Sequence, residues 1–126
     1  MKITAFNPLI LTKDAEAAVK LFKELGFEHK HTKTGINDQD ITSFDMKDPN
    51  GFRVDVTQVQ MPQDMTVIRM NVRDFDEAYQ FLLDRGFKNA QGDKITDTGS
   101  SKATLMVSPS GFAISLAEHI RKEDKK

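Results

Sequence analysis

The sequence predicts an α+β fold made of two tandem βαβββ units, and three observations predict it. The chain aligns with itself without a gap at an offset of sixty residues: Asp14 with Asp74, Ala18 with Ala78, Gly26-Phe27 with Gly86-Phe87, Met46 with Met106, Pro49 with Pro109, and Gly51-Phe52 with Gly111-Phe112. The matched positions are mostly helix starts, helix stops, tight turns and the first apolar residue after each, where the backbone dictates the residue. In each copy, apolar residues recur at helical spacing only after the first strand-like stretch, which orders the elements as strand, helix and further strands.

The first unit opens with a strand over 3–11 and continues as a helix over 12–25, whose apolar face is Ala15, Ala18, Val19, Phe22 and Leu25. Gly26 supplies a left-handed stop, and Phe27 can fold back on the last turn. Residues 27–34 read as a second strand, 35–40 as a turn and 41–46 as a third strand. Asp48-Pro49-Asn50-Gly51 presets one dihedral with proline and relieves another with glycine, so it turns the chain into a fourth strand over 52–59.

The second unit repeats this order, with a strand over 66–72 and a helix over 74–85 that faces inward through Phe75, Ala78, Tyr79 and Leu82. Asp74 and Glu77 have the spacing of a capping box, which the first copy lacks because Ala17 holds the matching place. Gly86-Phe87 ends the helix. Residues 88–101 are weakly patterned and read either as a lid or as a long loop. A strand over 103–107, the turn Ser108-Pro109-Ser110-Gly111 and a strand over 112–117 complete the copy. The link over 60–65 is too short for an interdomain hinge. One domain is therefore predicted over 1–126, with units at about 1–60 and 61–118 and a charged tail.

Composition excludes several function classes. The chain's 126 residues and 38% hydrophobic content suit one soluble domain. Without cysteine there is no disulfide framework, thiolate metal site or cysteine nucleophile, in keeping with a reducing cytoplasm. No export signal and no bilayer-length apolar run are present, so a cytoplasmic protein without a membrane partner is expected. The formal charge of −1 is spread through interspersed acids and bases, which gives no nucleic-acid footprint. The charges of Arg121 to Lys126 read as a solvated end. No phosphate-cradling loop, nucleophile elbow or zinc helix motif occurs, and Asp48-Pro49-Asn50-Gly51 lacks the further acids of a calcium loop.

Tandem βαβββ units, each with an aspartate opening its helix, a Gly-Phe ending it and an [Asp/Ser]-Pro-[Asn/Ser]-Gly-Phe turn before its last strand, resemble the vicinal oxygen chelate superfamily. That superfamily includes glyoxalase I, extradiol dioxygenases, fosfomycin-resistance enzymes and bleomycin-binding proteins. The resemblance covers residues 1–118 and implies curled sheets around a cavity with a reactive metal on its floor. It also implies a homodimer.

The resemblance places metal positions seven residues before each helix-opening aspartate and four after each turn glycine. In this chain they are Asn7, Asp55, Val67 and Ser115. The family pattern there is histidine or glutamine on the first strands and glutamate or another ligand on the last. Valine has no donor, and asparagine and serine are weak ligands for a catalytic transition metal, which normally needs three good donors. The expectation is a site without a divalent metal or other cofactor.

Asp55 then carries three readings. It can be neutralised by Arg53, two residues earlier on the same face, or by Arg69 on the first strand of the second unit. It can recognise a ligand, with Asn7, Arg69 and Asn71 holding a carboxylate or phosphate through the planar guanidinium fork. It is also the candidate general base, although no catalytic residue is assigned. His29 and His31 stand two apart and would share a strand face, but lysines crowd them and no third ligand has useful spacing. His119 reads as a surface residue. Leu9 and Met70 read as ordinary packing residues, and the nine phenylalanines mostly as core. With no tryptophan and only Tyr79, the chain lacks the aromatic cage that suits a large planar cation.

The sequence thus predicts a metal-independent small-molecule binding protein of the glyoxalase/bleomycin-resistance type. The alternative is a lyase or dioxygenase-like enzyme using a degenerate metal site or Asp55 as base. A third reading is an interaction module whose cup is filled by its own side chains.

Overall fold

The computed structural model describes residues 1–33, 42–97 and 101–119. The predicted turn over 35–40 and the tail from Arg121 lie outside the described residues, as do positions 98–100 of the weakly patterned stretch. The elements run β1 (Ile3–Thr12), α1 (Ala15–Glu24), β2 (Glu28–Lys33), β3 (Thr42–Lys47), β4 (Arg53–Gln58), β5 (Met65–Val72), α2 (Phe75–Asp84), β6 (Lys88–Asn89), β7 (Thr96–Asp97), β8 (Ser101–Val107) and β9 (Ala113–His119). The α+β class stands as predicted. The second copy departs from the first where one strand gives way to two-residue β6 and β7, both paired antiparallel with β8.

Packing divides the chain into two compact bodies, Asn7–Val67 and Met1–Phe6 with Ile68–Lys126. In the first body the strands run in the order β2-β3-β4-β1, with α1 packed on β4 and β2. The β1–β4 pairing is parallel and sets Leu9 opposite Asp55, while antiparallel β3 sets Asp45 opposite Asp55. In the second body β5 pairs parallel with β9, and β9 antiparallel with β8. Its core gathers Met70, Val72, Phe75, Ala78, Leu82, Met106, Ile114 and Leu116. Phe75 is fully buried there, a burial that contributes about 1.5–3 kcal/mol.

The punctuation residues act as their spacing implies. Asp14 Oδ1 accepts from the Ala17 amide at 3.2 Å and Asp74 Oδ1 from the Glu77 amide at 3.1 Å, so each satisfies a free donor of its helix. At the other end, Gly26 at φ +109° and Gly86 at φ +90° take the left-handed conformation. The Gly26 and Phe27 amides then bond to Lys23 O and Phe22 O, and those of Gly86 and Phe87 to Leu83 O and Leu82 O. Both are Schellman ends, and in α1 Phe27 lies edge-on to Phe22 at 5.6 Å.

The two turns are also built alike. Asp48 Oδ1 accepts from the Asn50 and Phe52 amides at 3.0 and 2.8 Å, and Ser108 Oγ from the Gly111 and Phe112 amides at 3.0 and 3.1 Å.

Three expectations fail. Leu25 is 64% exposed, because it is the C-cap of α1 and the chain has already left the apolar face. Phe6, Phe52, Phe81 and Phe112 are exposed as well, so fewer phenylalanines are core than their number suggests. Phe112 still packs edge-on to Phe87 at 5.7 Å. Finally, β2 is irregular between His29 and His31: His29 stands opposite Met46 and His31 opposite Asp45. Adjacent residues of β3 point to opposite faces, so the two histidines hold register positions of opposite faces rather than one.

Candidate functional site

Parallel pairing of β1 and β4 brings the two polar candidates of the Asn7–Val67 body onto neighbouring strands. Asp55 is 2% exposed and Asn7 is 5% exposed. Val54 and Val56 beside Asp55 face the helix side and are buried, as is Met46 opposite Val54. Asp55 therefore points to the other face with Leu9, and by strand alternation Asn7 shares that face. The Asn7 amide nitrogen donates to the Pro8 carbonyl at 2.9 Å.

Sequence reading missed Asp45 as a neighbour of Asp55. It is half-buried on β3, directly opposite Asp55 on the same face, and the next row holds Ser43 and Thr57 with their hydroxyls bonded at 3.0 Å. Position 55 lies between buried Val54 and Val56, where a carboxylate costs free energy unless it is compensated. The signal was available: Asp45 and Asp55 lie three residues before and four residues after the turn Asp48–Gly51, which is hairpin register. Arg53 follows the same turn and its side chain is exposed, whereas Asp55 is interior.

Along β5, Val67, Arg69 and Asn71 alternate with Ile68, Met70 and Val72, which face α2 and its core. Arg69 is half-buried opposite Ser115, and Ser115 stands opposite Leu105. Asn71 is half-buried opposite Ala117. Val67, counted with the first body, is 3% exposed.

A second missed pair occupies equivalent places in the two copies. Gln58 Oε1 accepts from the Ala15 amide at 2.8 Å while its Nε2 donates to Lys13 O. Glu118 Oε1 accepts from the Phe75 amide at 2.8 Å. Each side chain sits three residues beyond the last-strand site position and fastens that strand to the first turn of the helix. The offset of sixty pairs Gln58 with Glu118, and Ala15 with Phe75, so the repeat itself was the signal.

No family profile and no curated protein matches this chain. Solved structures do. A methylmalonyl-CoA epimerase from Mycobacterium tuberculosis superposes with a TM-score of 0.72 at 16% identity, over 98% of this chain and 93% of the other. Glyoxalase I from Zea mays gives 0.68 at 14% identity over 94% of this chain, which matches 44% of that longer one. A glyoxalase/bleomycin resistance protein/dioxygenase superfamily member from Vibrio splendidus 12B01 gives 0.56 at 17% identity, over 92% and 98%. The chain has the vicinal oxygen chelate fold.

At such identities the likeness establishes the fold, and the chemistry rests on the residues at the site. At the four positions that the sequence resemblance marks for metal ligands, Val67 offers no donor, Ser115 and Asn7 offer neutral oxygens, and Asp55 is the single carboxylate. Among the described residues no three histidine, aspartate or glutamate side chains are grouped so that they could hold a metal ion. Among them, too, no helix is long and apolar enough to cross a membrane.

Proposed function

We propose that the protein binds a small molecule without a resident transition metal. Asp55 and Asn7 of the Asn7–Val67 body are its candidate ligand contacts, with Arg53 at the exposed start of β4. The observation that carries this reading is the buried Val67, which puts a side chain with no donor at a position where a chelating vicinal oxygen chelate protein needs a ligand.

Elemental analysis of protein purified without chelator is expected to find far less than one transition metal per chain. A metabolite screen by thermal shift is expected to yield a ligand that raises Tm, an effect that Asp55→Ala removes. One equivalent of nickel, zinc, iron or manganese, or metal-dependent turnover of a hemithioacetal, catechol or epoxide that is lost in Asp55→Ala, would overturn the proposal.

The interior position of Asp55 favours a second reading, in which its carboxylate abstracts a proton from the bound molecule. That reading requires a pH-dependent rate whose limb disappears in Asp55→Asn. Exposed Leu21, Leu25 and Phe52 are consistent with a homodimer, for which light scattering should give twice the 14.2 kDa chain mass.

A further inference from the structure

Residues 88–97 stand where the first copy has one longer strand, and they attach to the rest of their body sparingly. Lys88 and Asn89 pair with Val107 and Met106, Thr96 and Asp97 with Ala103 and Lys102, and the Ala90 amide reaches Leu105 O at 2.8 Å. Between these points residues 90–94 are exposed. Ile95, packed on the core around α2, and Asn89, 9% exposed, hold the stretch inward.

Four hydrogen bonds converge on the Asn89 amide. Its Nδ2 donates to Lys94 O at 3.0 Å and to Tyr79 Oη at 3.2 Å. Its Oδ1 accepts from the Gln91 amide at 2.9 Å and from Thr104 Oγ1 at 2.6 Å. A backbone carbonyl can only accept and a backbone amide can only donate, so Lys94 and Gln91 fix which way the amide points. One side chain thus closes the loop on itself and ties it to α2 through Tyr79 and to β8 through Thr104. Aspartate would lose both donors, and glutamine would carry its amide one methylene too far.

We propose that residues 88–97 form a strap that opens and closes as one unit, with Asn89 as its latch. A mostly exposed segment with few buried apolar contacts belongs to the low-stability end of a fold. Four of its hydrogen bonds meet on one group, so losing that group releases those four together. The strap closes on the α2 side, since Asn89 stands opposite core residue Met106. Opening uncovers Tyr79 and Thr104 and leaves the opposite face, with Arg69 and Ser115, as it was.

Hydrogen exchange read by mass spectrometry on the full chain tests this. In the wild type, amides of 88–97 should exchange faster than those of 113–117. Asn89→Ala should speed exchange across 88–97 by about ten- to a hundredfold while 113–117 keep their wild-type rates. Tyr79→Phe, which removes one acceptor, should give a smaller rise over the same residues, and Thr104→Val supplies the same comparison should Asn89→Ala fail to fold. Equal acceleration of 88–97 and 113–117 would make Asn89 a support of the whole body, and no acceleration would deny it a latch; either overturns the proposal.

Discussion

Glycines in equivalent places of the repeat are not equivalent in cost. A Cβ built at Gly86 would lie 2.9 Å from Pro109 Cγ, inside any normal contact, whereas at Gly26 it meets nothing within 4 Å. Both have positive φ, so alanine at either position costs about 1–2 kcal/mol of left-handed strain. Gly86→Ala adds overpacking against proline, roughly another 1–3 kcal/mol. Urea titrations of the two variants should therefore place Gly86→Ala clearly below Gly26→Ala, and equal midpoints would mean that the Pro109 ring yields freely. The sequence predicted both glycines as helix stops, but only the structure shows that one also touches the second turn. Residue-scale reading failed in the same way at Leu25 and Phe52. Spacing assigns a face without knowing where the chain leaves its partner. It failed differently at His29 and His31, where alternation presumes an unbroken ladder and the β2–β3 pairing shifts register between them.

At the scale of elements, the two helices share one device made from different residues. Gln58 and Glu118 each supply an oxygen to the first free amide of a helix, at 2.8 Å in both. The carbonyl oxygen of glutamine suffices in α1, so Glu118→Gln should keep the bond in α2 and stay within about 0.5 kcal/mol of wild type. Glu118→Ala and Gln58→Ala remove the acceptor and should each cost about 0.5–2 kcal/mol, the range of a lost helix cap. Chemical denaturation of the three variants decides it: a Glu118→Gln loss as large as that of Glu118→Ala would show that the negative charge, rather than the oxygen, stabilises α2. These bonds escaped sequence reading because they join residues 43 positions apart. The local capping by Asp14 and Asp74 was legible because it acts within one turn.

For the whole molecule, repetition made the fold legible, since turns, stops and caps recur wherever the backbone needs them. The site was less legible, because its residues are those that differ between copies. Asn7 and Val67, or Asp55 and Ser115, share a place without sharing chemistry, and the opposition of Asp45 to Asp55 depends on hairpin register. Nor does the repeat foretell that the first six residues pack with Ile68–Lys126 rather than with the chain that follows them. There the Arg73 amide donates to Lys2 O at 2.9 Å, and the Met1 amino group lies 3.7 Å from Glu77 Oε1. The amide bond is a backbone contact at the C-terminal end of β5, where α2 begins, so its loss should be felt in the second body. Deleting residues 1–6 should therefore raise hydrogen exchange at 68–84 ahead of 42–58, by about tenfold for one lost hydrogen bond. Earlier or larger loss of protection at 42–58 would instead show that the first half of β1 supports the strands of the Asn7–Val67 body.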